Sequence, residues 1–493
     1  MVSYLQQELM GLTLTLNSKK VMKKIFSLFI VTLSLWSCDK NFEEINTSPN
    51  NSQTTDPNLL LSSAMITTQN TLYNAQIGGD MGLCWAQQWS KVQYNSEERY
   101  TPRRAVMNSV WTNIYASSIA ECKAAYELAG ESGNTNLQAV SLVLEANNFQ
   151  ILTDIFGPVP FNEAVSPGVT KPVHDTEEVV YNGILSLLNE AETLFASGTG
   201  EFTTTADFIY QGDVVKWRKF GASLKLKALM RISGKRNVSA EVNALVSSGL
   251  LMSSNDDSAQ LAYNSSQPDA NPIYETIVYG NRAEYKVSSV LVDKLNLLSD
   301  PRLSKFAQVN NANVYVGNLP GVENPGNYNG FSSPGIGYLS PTLPGVLLSY
   351  SQIELYLAEA ALTGVISGGL TTADDHYRNG IAANMDFNGV SASQVTTYLS
   401  QPSLDFASVA VGKEKIGLQM WFALYGQGIE AWTEWRRTGQ PALLPVVQAQ
   451  ISVIPKRFYY STDSQNFNQT NYQAAAALLD NGDTMLSKVW WMN

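Results

Sequence analysis

The sequence predicts a protein dominated by α-helices, in which paired helices form a tetratricopeptide-like scaffold that carries long irregular loops. Apolar residues recur at helical spacing through most of the chain, and turns separate the predicted helices at intervals of roughly 30 to 40 residues. Residues 252–286 and 307–346 lack this spacing and are rich in Asn, Ser, Gly, Pro and Tyr. Loops of such length within a compact protein usually carry function or are disordered. We therefore expect these two regions to be functional.

The predicted helices follow one another along the chain. Asp56 is the predicted N-cap of the first helix and Pro57 lies in its first turn, positions that these residue types favour. Gly130 and Gly133 are expected to end a later helix, whose apolar face begins at Trp111. Further helices are predicted at about 137–156, from 175 onward, at 212–233, 287–298, 347–363, 372–386 and 413–437.

Composition argues against nucleic-acid binding, and it does not decide whether the cysteines form a disulfide. The formal net charge is −11, whereas a nucleic-acid-binding protein is expected to carry a basic patch or stripe. The three cysteines lie far apart and form neither a zinc motif nor a redox motif. Cys84 and Cys122 either pair in an oxidising compartment or are buried as small apolar residues. Their positions in apolar helical patterns favour burial.

The segment from Ile25 to Leu35 is apolar and eleven residues long, shorter than the roughly 20 residues that a helix needs to cross a bilayer. Lys23 and Lys24 precede it, so the stretch has the layout of a secretory signal peptide. It ends in Leu-Trp-Ser followed by Cys38, which resembles a bacterial lipobox. This resemblance implies that Cys38 is acylated and becomes the first residue of the mature protein.

These features divide the chain into three parts. Residues 1–37 are interpreted as an upstream leader followed by the signal peptide. Translation is expected to start at Met22, because residues 1–21 have no signal layout and no periodic pattern. Residues 38–55 are polar and are predicted to form a flexible tether. Residues 56–493 are predicted to form a single helical domain.

Recognisable catalytic machinery is missing from the sequence. There is no zinc-protease motif, no nucleophile elbow, no phosphate-binding loop and no dinucleotide fingerprint. The only histidines are His174, before a helix start, and His376, beside two aspartates; structural roles are favoured for both over catalysis or metal binding. We therefore expect no catalytic residue, no metal and no cofactor. A surface glycosidase that uses paired carboxylates stays open, because such a pair leaves no motif in one sequence.

Aromatic residues in polar surroundings are the candidate ligand contacts. Trp85 and Trp89 are four residues apart and would share a helix face. They either pack into the core or form a ring platform for a sugar, and both readings stay open. The full set of candidates combines this segment with the two long loop regions: Trp85, Trp89, Tyr94, Tyr274, Tyr279, Tyr328 and Tyr338.

Four stretches together carry a family resemblance. They are "TDIFGPVPF" from Thr153, "GDVVKWRKFGASLKLKALMRIS" from Gly212, "YSQIELYLAEAAL" from Tyr350, and "QGIEAWTEWRRTGQP" with the later "IPKRFYY" and "KVWW". With the lipobox, they make the chain resemble the SusD/RagB family of Bacteroidetes outer-membrane lipoproteins. The likeness covers essentially everything after Cys38. These motifs belong to the scaffold, so no ligand-binding residue carries over.

The resemblance implies both a fold and a role. The fold is a SusD-like α-α superhelix in which four tetratricopeptide-like helix pairs support a loop-rich ligand face. The role is capture of oligosaccharide, or of peptide in some branches, without catalysis. The implied partner is a TonB-dependent outer-membrane transporter of the SusC type, over which the lipoprotein acts as a lid. The protein would then be lipid-anchored in the outer membrane and face the cell exterior.

Overall fold

Helices make up most of residues 55–492, the part of the chain that this computed structural model describes. The helices, in chain order, are α1 Pro57–Leu72, α2 Arg104–Val110, α3 Ile119–Glu131, α4 Thr135–Phe156, α5 Glu177–Ser197, α6 Val214–Ile232, α7 Ser239–Ser248, α8 Pro272–Tyr274, α9 Ser289–Leu297, α10 Leu303–Phe306, α11 Tyr350–Leu362, α12 Gly369–Phe387, α13 Ala392–Leu399, α14 Val409–Ala423, α15 Gly428–Thr438, α16 Thr462–Phe467 and α17 Gln469–Ala477. The predicted signal peptide, the start at Met22, Cys38 and the tether up to residue 54 lie outside the described residues.

Shorter elements complete the fold. Within residues 55–492, the π-helical segments Ala75–Leu83, Trp111–Ser118 and Glu275–Tyr279 and the 3₁₀ turns Asn255–Asp257, Ile336–Leu339 and Pro402–Leu404 lie between the α-helices. The strands of this part of the chain are β1 Trp89–Lys91, β2 Ala259–Leu261, β3 Tyr285–Val287 and β4 Gly345–Leu348. β1 pairs with β3 and β2 with β4, both antiparallel. The helix-dominated fold class is therefore confirmed.

Helix starts follow local capping chemistry. The Asp56 side chain accepts a hydrogen bond from the backbone N–H of Asn58 at 2.9 Å, which confirms the predicted N-cap of α1. α5 begins at Glu177 and is capped by Thr176. Asp175, where this helix was predicted to start, lies before the cap, and its carboxylate accepts instead from two backbone N–H groups of the preceding loop.

The predicted helix over 413–437 is two helices in the structure, α14 and α15. The chain turns at Gly426, whose φ of 90° is a conformation that residues with a Cβ rarely adopt. A Cβ at this position would also lie 2.7 Å from the Tyr338 ring. The break allows α14 and α15 to pack on each other rather than continue as one rod.

Consecutive helices pack side by side and bury the main core. α3, α4, α5 and α6 each pack against the next helix, and α11 packs against α12 and α14. Inside this scaffold the fully buried guanidinium of Arg231 on α6 reaches two carboxylates of α15, those of Glu430 at 2.6 Å and Glu434 at 3.1 Å. Lys227 and Arg437 pair with the same two carboxylates, at 3.0 Å and 2.9 Å, so a buried network of charges ties α6 to α15.

A second, smaller core lies under the loop-rich part. It contains Trp89, Tyr285, Phe306 and Tyr425, among other apolar residues of β1, β3, α9, α10 and α14. The two long loop regions therefore rest in part on this second core, while β2 and the end of β4 pack into the main core through Ala259, Leu261 and Leu348. Residues 252–286 include β2 and residues 307–346 end at β4, and these two strands pair with each other.

Candidate functional site

The structure buries both tryptophans that the sequence offered as ligand contacts. Trp85 is 0% exposed, and its indole N–H donates to the backbone carbonyl of Glu97 at 2.8 Å. Trp89 is 1% exposed, and its indole N–H donates to the Tyr425 hydroxyl at 2.8 Å. The two do not share a helix face, because the helical segment ends after Trp85 and Trp89 begins β1. The prediction that these rings contact ligand is therefore wrong, because both side chains pack in the interior of the protein.

Three of the predicted tyrosines are exposed on the loops. Tyr94 is 60% exposed, Tyr279 is 67% exposed and Tyr328 is 37% exposed. The guanidinium of Arg282 lies 5.6 Å from the centroid of the Tyr94 ring. We call the group of Gln93, Tyr94, Tyr279, Arg282 and Tyr328 the tyrosine surface.

Backbone pairing brings the parts of the tyrosine surface together. β1 and β3 pair at Lys91 and Tyr285, and this ladder continues as the N–H of Val92 donates to the carbonyl of Glu284 at 3.0 Å. The third segment joins from the other side, where the N–H of Gly326 donates to the carbonyl of Val92 at 3.0 Å. Residues from three distant parts of the sequence thus meet at one place.

Side chains secure the same junction. The Tyr328 hydroxyl donates to the side-chain carbonyl of Gln93. The side-chain amide of Asn95 donates to the backbone carbonyl of Val322 at 2.6 Å. The Arg282 guanidinium pairs with Glu284. These contacts hold the Tyr328 ring, and the Arg282 side chain beside Tyr94, in place before any ligand arrives, which reduces the entropy lost on binding.

Tyr94 has a backbone conformation that ring-bearing residues rarely adopt. Its φ is 53°, in the left-handed region. Strained backbone of this kind persists only where surrounding contacts hold it, and it clusters at binding and catalytic sites. The Tyr94 ring is exposed and is not part of the second core.

One buried carboxylate anchors the loops beneath this surface. Glu98 accepts hydrogen bonds from the Ser90 hydroxyl at 2.7 Å, the Lys91 backbone N–H at 2.8 Å and the Gly321 backbone N–H at 2.8 Å. Glu98 therefore connects β1, the loop after it and the loop that leads to Tyr328. Burial raises the pKa of Glu98 to about 7, although these hydrogen bonds lower it.

A buried ion pair lies beside Glu98. The Lys91 ammonium lies 3.0 Å from the Asp80 carboxylate, which also accepts from the Tyr285 hydroxyl at 2.7 Å. Burial raises the pKa of Asp80, and the nearby Lys91 lowers it. This pair joins the π-helical segment before β1 to both strands of the β1–β3 sheet.

The remaining predicted tyrosines lie elsewhere. Tyr274 is partly exposed on α8, which continues into the π-helical turn that ends at Tyr279. Tyr338 is buried, packs edge-on against Phe306 and Tyr425, and lines a separate cleft. The structure therefore does not place Tyr338 on the tyrosine surface.

Other candidate chemistry is structural. Within residues 55–492, no group of three or more His, Cys, Asp and Glu side chains could hold a metal ion. The His376 ring lies 2.8 Å from Glu354, and His174 is buried, which lowers its pKa to about 4. Cys84 and Cys122 are free and buried, as their apolar patterns favoured. In the same described range, no helix is both long and apolar enough to span a membrane.

Sequence reasoning missed Gln93, Arg282 and Glu98, which the structure places at or under the tyrosine surface. Arg282 follows Tyr279 by three residues in a loop, and this proximity was the available signal. Glu98 left no signal, because an acidic residue in a polar stretch is normally solvated.

Comparison with known proteins assigns the fold to a family. A family model described as "Starch-binding associating with outer membrane" matches residues 49–461. The chain belongs to the SusD-like family. Solved SusD-like structures share its helical fold, which confirms the predicted fold class. SusD-like proteins are binding proteins rather than enzymes, and the family is described as associated with the outer membrane.

Individual SusD-like and related structures match nearly the whole chain. A chitin-binding protein is 28% identical with a TM-score of 0.79, covering 89% of this chain and 100% of its own. A SusD homolog from Bacteroides fragilis is 24% identical with a TM-score of 0.74, covering 89% and 99%. A chitin-binding SusD homolog from Flavobacterium johnsoniae is 21% identical with a TM-score of 0.77, covering 87% and 98%. The search of curated proteins finds no match.

Proposed function

We propose that this protein is a lipid-anchored outer-membrane binder that captures oligosaccharide on its tyrosine surface and delivers it to a TonB-dependent transporter of the SusC type. The observation that carries the binding role is the set of exposed rings of Tyr94, Tyr279 and Tyr328 on loops that are anchored from below. Sugar rings present C–H groups that pack on such faces, while Gln93 and Arg282 offer hydrogen-bond partners to hydroxyl groups. Membership of the SusD-like family and the 28% identical chitin-binding protein support a glycan ligand.

The anchor and the partner extend this proposal. Acylation of Cys38 would hold the binder at the outer membrane, on the exterior side, with residues 38–55 as its tether. Capture beside a transporter raises the local concentration of substrate, which a freely diffusing binder would not do. The lipobox and the outer-membrane association of the family support this arrangement.

Isothermal titration calorimetry of the purified protein tests the ligand. The probes are maltohexaose, as a fragment of starch, and chitohexaose, as a fragment of chitin. Binding of either one, weakened in the Tyr94→Ala and Tyr328→Ala variants, is the expected result. Phe467→Ala is the matched control, because Phe467 is an exposed ring on α16, which contributes nothing to the tyrosine surface.

Other outcomes favour the alternative functions. Binding of a mixed peptide pool with no saccharide binding would replace glycan by peptide as the ligand. Release of shorter sugars after long incubation would favour a glycosidase, and loss of that turnover on changing one carboxylate would identify its catalytic pair.

The anchor has a separate test. Mass spectrometry of the native product should find acylated Cys38 at its N-terminus, and Cys38→Ala should release the protein from the membrane. A native product that retains residues 1–21 would contradict the proposed start at Met22.

A further inference from the structure

A cleft of about 740 Å³ opens in the loop-rich part of the protein, apart from the tyrosine surface, with which it shares no lining residue. Three parts of the chain form it: the end of α10 with the loop that follows, the 3₁₀ turn Ile336–Leu339 with the segment that leads from it to β4, and the end of α12. Its volume is in the range of sites that bind small molecules. The lining residues that matter for recognition are Lys305, Gln308, Tyr315, Tyr338, Phe387 and Asn388.

The charge of this cleft is opposite to that of the whole protein. Among the residues that the structure describes, Lys305 is the one charged side chain that lines the cleft, and no Asp or Glu lines it, although the chain has a formal net charge of −11. Within residues 55–492, Lys305 forms no ion pair. The nearby Arg302 is different, because its guanidinium is buried and pairs with Asp300 at 2.6 Å. A cation without a carboxylate partner, in a cleft free of acids, favours an anionic ligand.

The walls of the cleft match a ring with polar substituents. Tyr338 is held by edge-on packing against Phe306 and Tyr425, with ring centroids 5.7 Å and 4.5 Å away. Its hydroxyl donates to the side-chain carbonyl of Asn388 at 2.7 Å, which orients that amide. Phe387, which also lines the cleft, is exposed. The cleft therefore combines fixed aromatic walls, side-chain amides and one cation.

We propose that this cleft binds a uronate residue of an acidic saccharide, with Lys305 pairing with the uronate carboxylate. The inference rests on the proposed function, in that the ligand is taken to be a saccharide, and it adds that part of the ligand is acidic. The aromatic walls receive the sugar ring. The amide nitrogens of Gln308 and Asn388 already donate to backbone carbonyls at 2.7 Å and 2.8 Å, so these side chains offer their amide oxygens to the sugar hydroxyl groups.

The experiment measures affinity by calorimetry on the full chain with two matched probes, α-1,4-linked trigalacturonate and neutral maltotriose. Wild type should bind trigalacturonate more tightly, and added salt should reduce that preference, because the Lys305 pair is partly exposed to solvent. Lys305→Gln should weaken trigalacturonate binding about tenfold, the size expected for losing one charge-assisted hydrogen bond. Lys305→Arg, which keeps the charge, should retain most of the affinity.

Controls separate this site from the tyrosine surface. Lys413→Gln makes the same charge change on an exposed part of α14 and should leave trigalacturonate affinity unchanged. Tyr94→Ala should weaken neutral saccharides while the effect of Lys305→Gln on trigalacturonate persists. Thermal unfolding of each variant confirms that it is folded.

Three results would overturn the proposal. The first is a wild-type protein that does not bind trigalacturonate. The second is a Lys305→Gln variant that binds trigalacturonate with wild-type affinity. The third is a tripeptide whose free C-terminal carboxylate binds in a Lys305-dependent way while trigalacturonate does not, which would assign the cleft to peptides. If neutral saccharides still bind at the tyrosine surface in any of these cases, the proposed function stands and only the uronate site fails.

Discussion

The strained conformation of Tyr94 allows ligand binding and stability to be separated by two substitutions at one position. Tyr94→Ala and Tyr94→Gly both delete the exposed ring and its contact with Arg282, so these losses cancel when the two variants are compared. At the φ of 53°, a residue with a Cβ costs roughly 1–2 kcal/mol, whereas glycine does not. Glycine loses about 0.5–1 kcal/mol more backbone entropy on folding. Tyr94→Gly should therefore be more stable than Tyr94→Ala by about 1 kcal/mol.

The affinities should not follow the stabilities. If the Tyr94 ring is a central anchor for the saccharide, both variants should lose about 1–3 kcal/mol of binding free energy, which is about 5- to 150-fold in Kd. Urea denaturation measures the free energy of unfolding, and calorimetry with the best-binding hexasaccharide measures Kd. Wild-type affinity in both variants would remove Tyr94 from the site. A Tyr94→Gly protein that is less stable than the Tyr94→Ala protein would contradict the backbone strain assigned to Tyr94.

Three further predictions concern the buried groups. Burial raises the pKa of Glu98 and Glu145 to about 7 and that of Glu177 to about 8, from an ordinary value of 4.5. The folded state therefore holds protons on these carboxyl groups that the unfolded chain has already lost at pH 7. Urea titrations should accordingly find that the free energy of unfolding falls by about 2 kcal/mol from pH 7 to pH 8. A flat profile across this interval would contradict the raised values. Arg231→Met should lower the free energy of unfolding by about 3–5 kcal/mol, because it leaves the buried Asp154 carboxylate without its ion-pair partner and leaves Glu430 and Glu434 with only Lys227 and Arg437; an unchanged urea midpoint would show that these carboxylates are neutralised in another way. Trp85→Ala should cost about 3–5 kcal/mol as a core truncation, while calorimetry at low temperature should find the saccharide affinity of the folded protein unchanged; weakened affinity there would return Trp85 to the site.

Sequence patterns predicted the scaffold better than the site. Helical spacing of apolar residues located most of the helices, because each helix buries one face along its whole length and repeats that signal many times. It failed at the α14–α15 turn, where one glycine against the Tyr338 ring breaks an otherwise continuous pattern. Composition also located the two loop regions, since Asn, Gly and Pro disfavour regular elements wherever they cluster.

The sequence by itself determined the helical class, the start of α1 at Asp56 and the family to which the chain belongs, because these depend on local chemistry or on motifs in the scaffold. Only the tertiary structure decided which aromatic residues face solvent. Trp89 and Tyr94 lie five residues apart in one aromatic stretch, yet the first packs on Tyr285 in the second core and the second projects from a left-handed turn. That difference comes from the pairing of β1 with β3 and from the buried Glu98, contacts between residues far apart in the chain. Local sequence patterns do not indicate such contacts, so the exposed surface could be identified only from the folded structure.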